Sequence, residues 1–194
     1  MESLKERIRR DGKNLGGGIL KVDSFLNHQV DPAFMLAVGG ALAAHFGASG
    51  VTKVLTAEIS GIAPALTTAL ALGVPVVYGR KTRPITMPPN AYLERAPSHT
   101  KGKVIEIMVS PEFLHPGDKV LIVDDFLATG STIKALVKLA ERAGAKVVGI
   151  GTVIEKAFEG GRSELELLGY PVRSLVVIEK MTDDEIIFAE REQL

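Results

Sequence analysis

Two adjacent carboxylates, Asp124 and Asp125, stand just ahead of Ala128-Thr129-Gly130-Ser131-Thr132, a run of small and hydroxyl residues around a glycine. The two groups suit different parts of one ligand. A loop that opens a helix presents unpaired backbone N–H groups and a partial positive charge, which favours a phosphate. Carboxylates beside a phosphate would repel it, so they hold something else, such as sugar hydroxyls. The preceding residues, Val120 to Val123, are apolar and largely β-branched and read as a buried strand. Open α/β sheets bind ligands at the carboxyl ends of their strands. A strand that merely ended in two solvated aspartates and an ordinary helix cap would explain neither the acid pair nor the loop.

Similar chemistry recurs at other expected strand ends. Ala57-Glu58-Ile59-Ser60-Gly61-Ile62 leads from a strand into a helix, and Gly61 allows close backbone approach of an anion. Taken alone, it reads rather as a routine turn with Ser60 as the cap; paired with the loop at 128–132, it reads as a second anion site. Arg80-Lys81 closes the next strand with two positive charges, and Ile154-Glu155-Lys156-Ala157-Phe158 ends a later one with a cation and an aromatic.

The elements that must position these residues follow from pattern. Residues 2–11 form a short charged helix, Gly16-Gly17-Gly18 breaks it, and 19–22 is extended. Asp31-Pro32 caps and starts a helix that runs to about Phe46. Strands are expected at 51–56, 74–78, 104–109, 120–124 and 146–154, with helices at 61–72 and 130–143. Strands alternating with helices predict βαβ units, hence an α/β fold with a mainly parallel sheet flanked by helices. Lys81 to Lys103 holds four prolines and no sustained period, which predicts a long loop of functional character.

Composition narrows the function. The chain has 194 residues, 46% of them hydrophobic, so one well-cored domain spanning 1–194 is expected. The formal net charge is +0, which disfavours nucleic-acid binding. Cysteine is absent and the four histidines share no metal-ligand spacing, so no protein metal cage is visible. The N-terminus lacks an apolar leader core, and no stretch reads as a membrane span. A soluble cytoplasmic enzyme is the expectation.

The thirteen residues from Val120 to Thr132 resemble, in order, the phosphoribosyl-diphosphate (PRPP) motif of the type I phosphoribosyltransferases. That resemblance implies a type I phosphoribosyltransferase fold with a small hood from about 1–35 and 155–194 and a flexible flap over about 81–103. Asp124 and Asp125 would hold the ribose, and residues Ala128, Thr129, Gly130, Ser131 and Thr132 the 5-phosphate. Ser60, Gly61 and Lys81 would meet the diphosphate, with Lys101 and Lys103 joining from a closed flap. Mg²⁺ would arrive on the diphosphate, held mainly by PRPP and water. Gly18 to Pro32, the Glu58–Pro64 run and 153–162 resemble the branch of the family that uses xanthine. Leu20 (by backbone), Asn27 (by amide) and Lys156 would then contact the base, with Phe158 stacked on it. Guanine, hypoxanthine or adenine as acceptor stay open, as does a PRPP-sensing regulator, although only ~30 residues precede the first long helix, too few for a separate DNA-binding domain. A homodimer is expected by analogy.

Overall fold

The computed structural model describes residues 3–97, 104–182 and 184–190. Its main sheet has six strands in the order β10-β9-β8-β7-β3-β4. These are β3 (Lys53–Ala57), β4 (Val76–Gly79), β7 (Lys119–Leu127), β8 (Lys146–Lys156), β9 (Val172–Met181) and β10 (Ile186–Phe188). All neighbours in it are parallel except β9 and β10. Two short antiparallel ladders complete the chain: β1 (Lys13–Asn14) with β2 (Leu20–Lys21), and β5 (Tyr92–Pro97) with β6 (Val104–Val109).

Both sheet faces are buried, which is why the strands read as continuous apolar runs. The two-residue period divides them. Val120 and Ile122 of β7 join one core with α4 (Ser131–Arg142) and the β5–β6 ladder, while Leu121 and Val123 join the other. That second core is closed by α1 (Leu4–Asp11), α2 (Pro32–Phe46) and α3 (Ile62–Leu72). The expected start of α2 is present: Asp31 accepts from the Phe34 N–H at 3.1 Å, and Pro32 is the first helical residue. Asp31 also pairs with Arg7 of α1 at 3.0 Å, tying the two helices together.

Four differences from the sequence expectations bear on the site. The β7 strand runs past the acid pair to Leu127, because β8 is long enough to pair with Asp124, Phe126 and Leu127. The stretch expected to be loop between 81 and 103 contains β5, whose Ala96 is buried and whose Arg95 faces its register partner Glu106 at 3.0 Å. Residues 98–103, with Lys101 and Lys103, lie outside the described residues. Helix α5 (Gly161–Leu167) and strand β9 were not anticipated, and β9 joins the main sheet beside β8. The 18-residue helical stretch Pro32–Ser49, contrary to expectation, is long and apolar enough to cross a membrane by length and composition. Its Met35, Val38, Leu42 and Phe46 are buried in the second core, as in a core helix.

Candidate active site

The carboxyl ends of β3, β7 and β8 open onto one cleft of about 380 Å³. Asp124, Asp125, Ser60, Lys81, Leu20, Asn27, Lys156 and all five residues from Ala128 to Thr132 line it. Twelve of the residues singled out from the sequence thus meet in one place, while Arg80 lines a different pocket. Gly61 and Phe158 do not line the cleft.

The loop after β7 is shaped by two glycines. Gly130 has φ +72°, a left-handed conformation that side chains resist, and it turns the chain into α4. Gly161 donates its N–H to the Ala128 carbonyl at 3.0 Å. A Cβ on Gly161 would lie 2.7 Å from the Gly130 nitrogen, so α5 presses directly on the loop. Thr129 and Ser131 hydroxyls bond each other at 2.9 Å. Ser131, Thr132 and Ile133 of the first turn of α4 line the cleft, and the unpaired N–H groups of a first helical turn suit a phosphate.

Asp124 and Asp125 are 8% and 7% exposed. Asp124 Oδ1 accepts from the Asp125 N–H at 3.1 Å. Burial, then the neighbouring Asp125 charge, hold the Asp124 carboxyl well above the ordinary carboxylate range, and Lys81 partly opposes this. Gly61 explains the closeness of the two loops: a Cβ there would sit 2.6 Å from Asp124 Oδ1 and would also strike the Thr56 hydroxyl. Its role is clearance rather than lining. The Thr56 hydroxyl is buried and has no hydrogen-bond partner among the described residues.

Glu58 was given no role in the sequence reading, and it ties the end of β3 to the residues that follow β4. One carboxylate oxygen accepts from Arg80 Nε at 2.7 Å, the other from the Lys81 N–H at 2.5 Å and the Thr82 N–H at 3.3 Å. It pins the backbone that carries Lys81 across 23 residues of sequence. No local pattern signals such a contact.

At the other end, Lys156 Nζ donates to the Gly18 carbonyl at 2.7 Å and lies 5.6 Å over the Phe126 ring, within cation–π range. Phe126 lines the cleft. Phe158 instead sits in a 3-10 turn (Ala157–Glu159), where its ring lies against Gly18: a Cβ on that glycine would be 3.2 Å from the ring edge. The aromatic in the wall of the cleft is thus Phe126, which also packs against the second core. Asn27 ends a single π-helical turn, Asp23–Asn27, and its buried amide oxygen has no hydrogen-bond partner among the described residues. Among the described residues no group of three or more His, Cys, Asp or Glu could hold a metal ion.

Residues 28–187 match the phosphoribosyl transferase domain. The chain is 50% identical over 188 residues to the xanthine phosphoribosyltransferase of Moorella thermoacetica, covering 97% of this chain and 96% of that one. It is 48% identical over 192 residues to the xanthine phosphoribosyltransferase of Listeria innocua, covering 99% and 100%. The fold superposes on that of APRTase from Giardia lamblia complexed with 9-deazaadenine with a TM-score of 0.77 at 26% identity, covering 93% of this chain and 100% of that one. With an acid pair, a phosphate-ready loop and a base-sized cleft in one mainly parallel sheet, the chain belongs to the type I phosphoribosyltransferase family.

Proposed function

We propose that this protein transfers 5-phosphoribosyl from PRPP to N9 of xanthine, giving xanthosine 5′-monophosphate and diphosphate. The observation that carries the reading is the union, in one cleft, of the 128–132 loop, the acid pair and a cationic donor, Lys156. The bond from C1′ to the diphosphate oxygen breaks, the C1′–N9 bond forms, and the N9 proton is lost. Positive charge grows on the ribose as diphosphate departs. Catalysis is then mainly positioning and electrostatics. Asp124 and Asp125 take the ribose hydroxyls and stabilise that charge. The loop from Ala128 to Thr132 grips the 5-phosphate, while Ser60 and Lys81 meet the diphosphate, with Gly61 clearing the space.

Mg²⁺ fits the donor set. The cleft offers the oxygen ligands of Asp124 and Asp125, and no three-member group is available among the described residues. Such a set suits an ion that keeps most of its ligands from diphosphate and water. When bound, it neutralises charge on the leaving group.

Base choice rests on three side chains. The Lys156 ammonium is a donor only, so it favours a 6-oxo group over adenine's amine. Phe126 provides the stacking face, in place of Phe158. The unpartnered Asn27 oxygen accepts from a ring N–H while its NH₂ donates to the 2-oxo group, and the Leu20 backbone completes the edge. Closure of the 81–103 stretch over PRPP belongs to the same reading, supported by Lys81 and Pro97 in the cleft wall. So does a homodimer: α2 and α3 carry no Asp, Glu, Lys or Arg, yet expose Leu36, Leu66 and Leu70. Incubation with PRPP, Mg²⁺ and xanthine should yield xanthosine monophosphate and diphosphate in equal amounts; no product would overturn the reading.

A further inference from the structure

The Glu155 carboxylate, 2% exposed, is the most enclosed acid in the buried set. It does not line the cleft, and nothing in the reaction requires it. Arg162 reaches it with a two-pronged contact, Nε at 2.8 and 3.0 Å and Nη2 at 2.6 Å. The Ser174 hydroxyl donates to Glu155 at 2.6 Å and lies 2.8 Å from the Thr152 hydroxyl. Arg162 also donates to the Val172 carbonyl at 3.2 Å and to Glu166 at 3.1 Å. The network therefore joins β8, β9 and the first turn of α5.

Its two ends abut the two ends of the cleft. Glu155 precedes Lys156 in the chain and is the register partner of Leu127, the last residue of β7 before the phosphate loop. Arg162 follows Gly161, whose N–H holds the Ala128 carbonyl and whose Cα leaves no room for a side chain against Gly130. A shift of Arg162 relative to Glu155 would thus move the loop and Lys156 apart.

We propose that the Glu155–Arg162 pair is a positioning device that sets the distance between the 5-phosphate loop and the purine contact, so that both halves of the substrate depend on it. Neither residue lines the cleft. The guanidinium fork fixes an angle that an ammonium does not, and a misplacement of about 1 Å can lower rates by about 10²-fold. The inference rests on the function proposed above.

The test uses two variants of the full chain. Arg162→Lys keeps the charge and loses the fork. The Glu155→Leu/Arg162→Met double variant removes both buried charges together, which spares the fold the cost of a lone buried ion. In the double variant, KM for PRPP and KM for xanthine should rise together, by about 10-fold each, with an unchanged melting temperature. Arg162→Lys should recover less than half of the loss. If the folded double variant keeps both KM values of the parent, or if only one KM moves, the pair does not set the spacing. Turnover of xanthine by the parent protein reports separately on the proposed function, so the two failures are distinguishable.

Discussion

Lys156 and Gly18 are joined across the mouth of the cleft: the ammonium donates to the glycine carbonyl at 2.7 Å. The contact spans 138 residues of sequence and ties the end of β8 to the glycine turn before β2. One of the three Lys156 donors is thus committed to the protein, and Glu159 stands 3.6 Å away. The ammonium also lies 5.6 Å from the centre of the Phe126 ring.

Lys156→Ala removes a base contact and a strut at once. Specificity constants for xanthine and hypoxanthine should both fall by at least about 10-fold, since both have a 6-oxo group and a lost hydrogen bond from a charged donor is worth roughly 1.5–3 kcal/mol. The amides of Gly16 to Ile19 should also exchange faster with deuterium. Unchanged exchange would show that the strut has no structural weight.

Asn27→Ala should separate the oxopurines. Xanthine offers a 2-oxo group and hypoxanthine does not, so the specificity constant for xanthine should drop by about 10-fold and that for hypoxanthine by clearly less. Steady-state kinetics with the two bases checks this; equal losses would remove Asn27 from the 2-oxo contact.

Asp124 couples stability to pH. Its folded-state carboxyl is held above its ordinary value, chiefly by burial. The stabilisation from keeping the proton is complete below the ordinary value of 3.8 and is lost as pH rises through the raised one. Asp124→Asn should therefore raise the melting temperature of the unliganded protein at neutral pH, by about 2–4 °C per kcal/mol relieved, and flatten its decline above acid pH. Turnover should fall about 10²-fold or more, as it should for Asp125→Asn. Scanning calorimetry across pH checks the first part; a variant that melts lower than the parent at every pH contradicts it.

Glu58→Gln keeps an acceptor for the Lys81 N–H and discards the charge that holds Arg80. KM for PRPP should rise by about 3- to 10-fold, with KM for xanthine little changed because Glu58 lies at the anion end. Initial rates at varied PRPP decide it. A larger effect on xanthine than on PRPP would place Glu58 elsewhere in the mechanism.

The parts of this site that were readable in the sequence are those whose chemistry is local. Val120 to Thr132 declares a buried strand, an acid pair and a helix start within one stretch, and the structure brings them to one cleft edge. Asp31-Pro32 likewise carries its own cap. What escaped depends on distant partners. Strand β5 has Glu94, Arg95 and Pro97 in six residues and becomes a strand only because β6 supplies a ladder and Arg142 bonds the Leu93 carbonyl. Glu58 and Arg162 take meaning from side chains brought near by the sheet. Two aromatics flank the acid pair and Lys156, and local spacing does not show that Phe158 turns toward Gly18 while Phe126 faces the cleft.

The central claim is a cleft built for an oxopurine with a 2-oxo group beside PRPP. A competition assay most directly tests it: xanthine, guanine, hypoxanthine and adenine together with limiting PRPP and Mg²⁺, each nucleotide product quantified by chromatography. The account predicts xanthosine monophosphate as the dominant product and no detectable adenosine monophosphate. Dominance of adenosine monophosphate, or equal yields from all four bases, would contradict it.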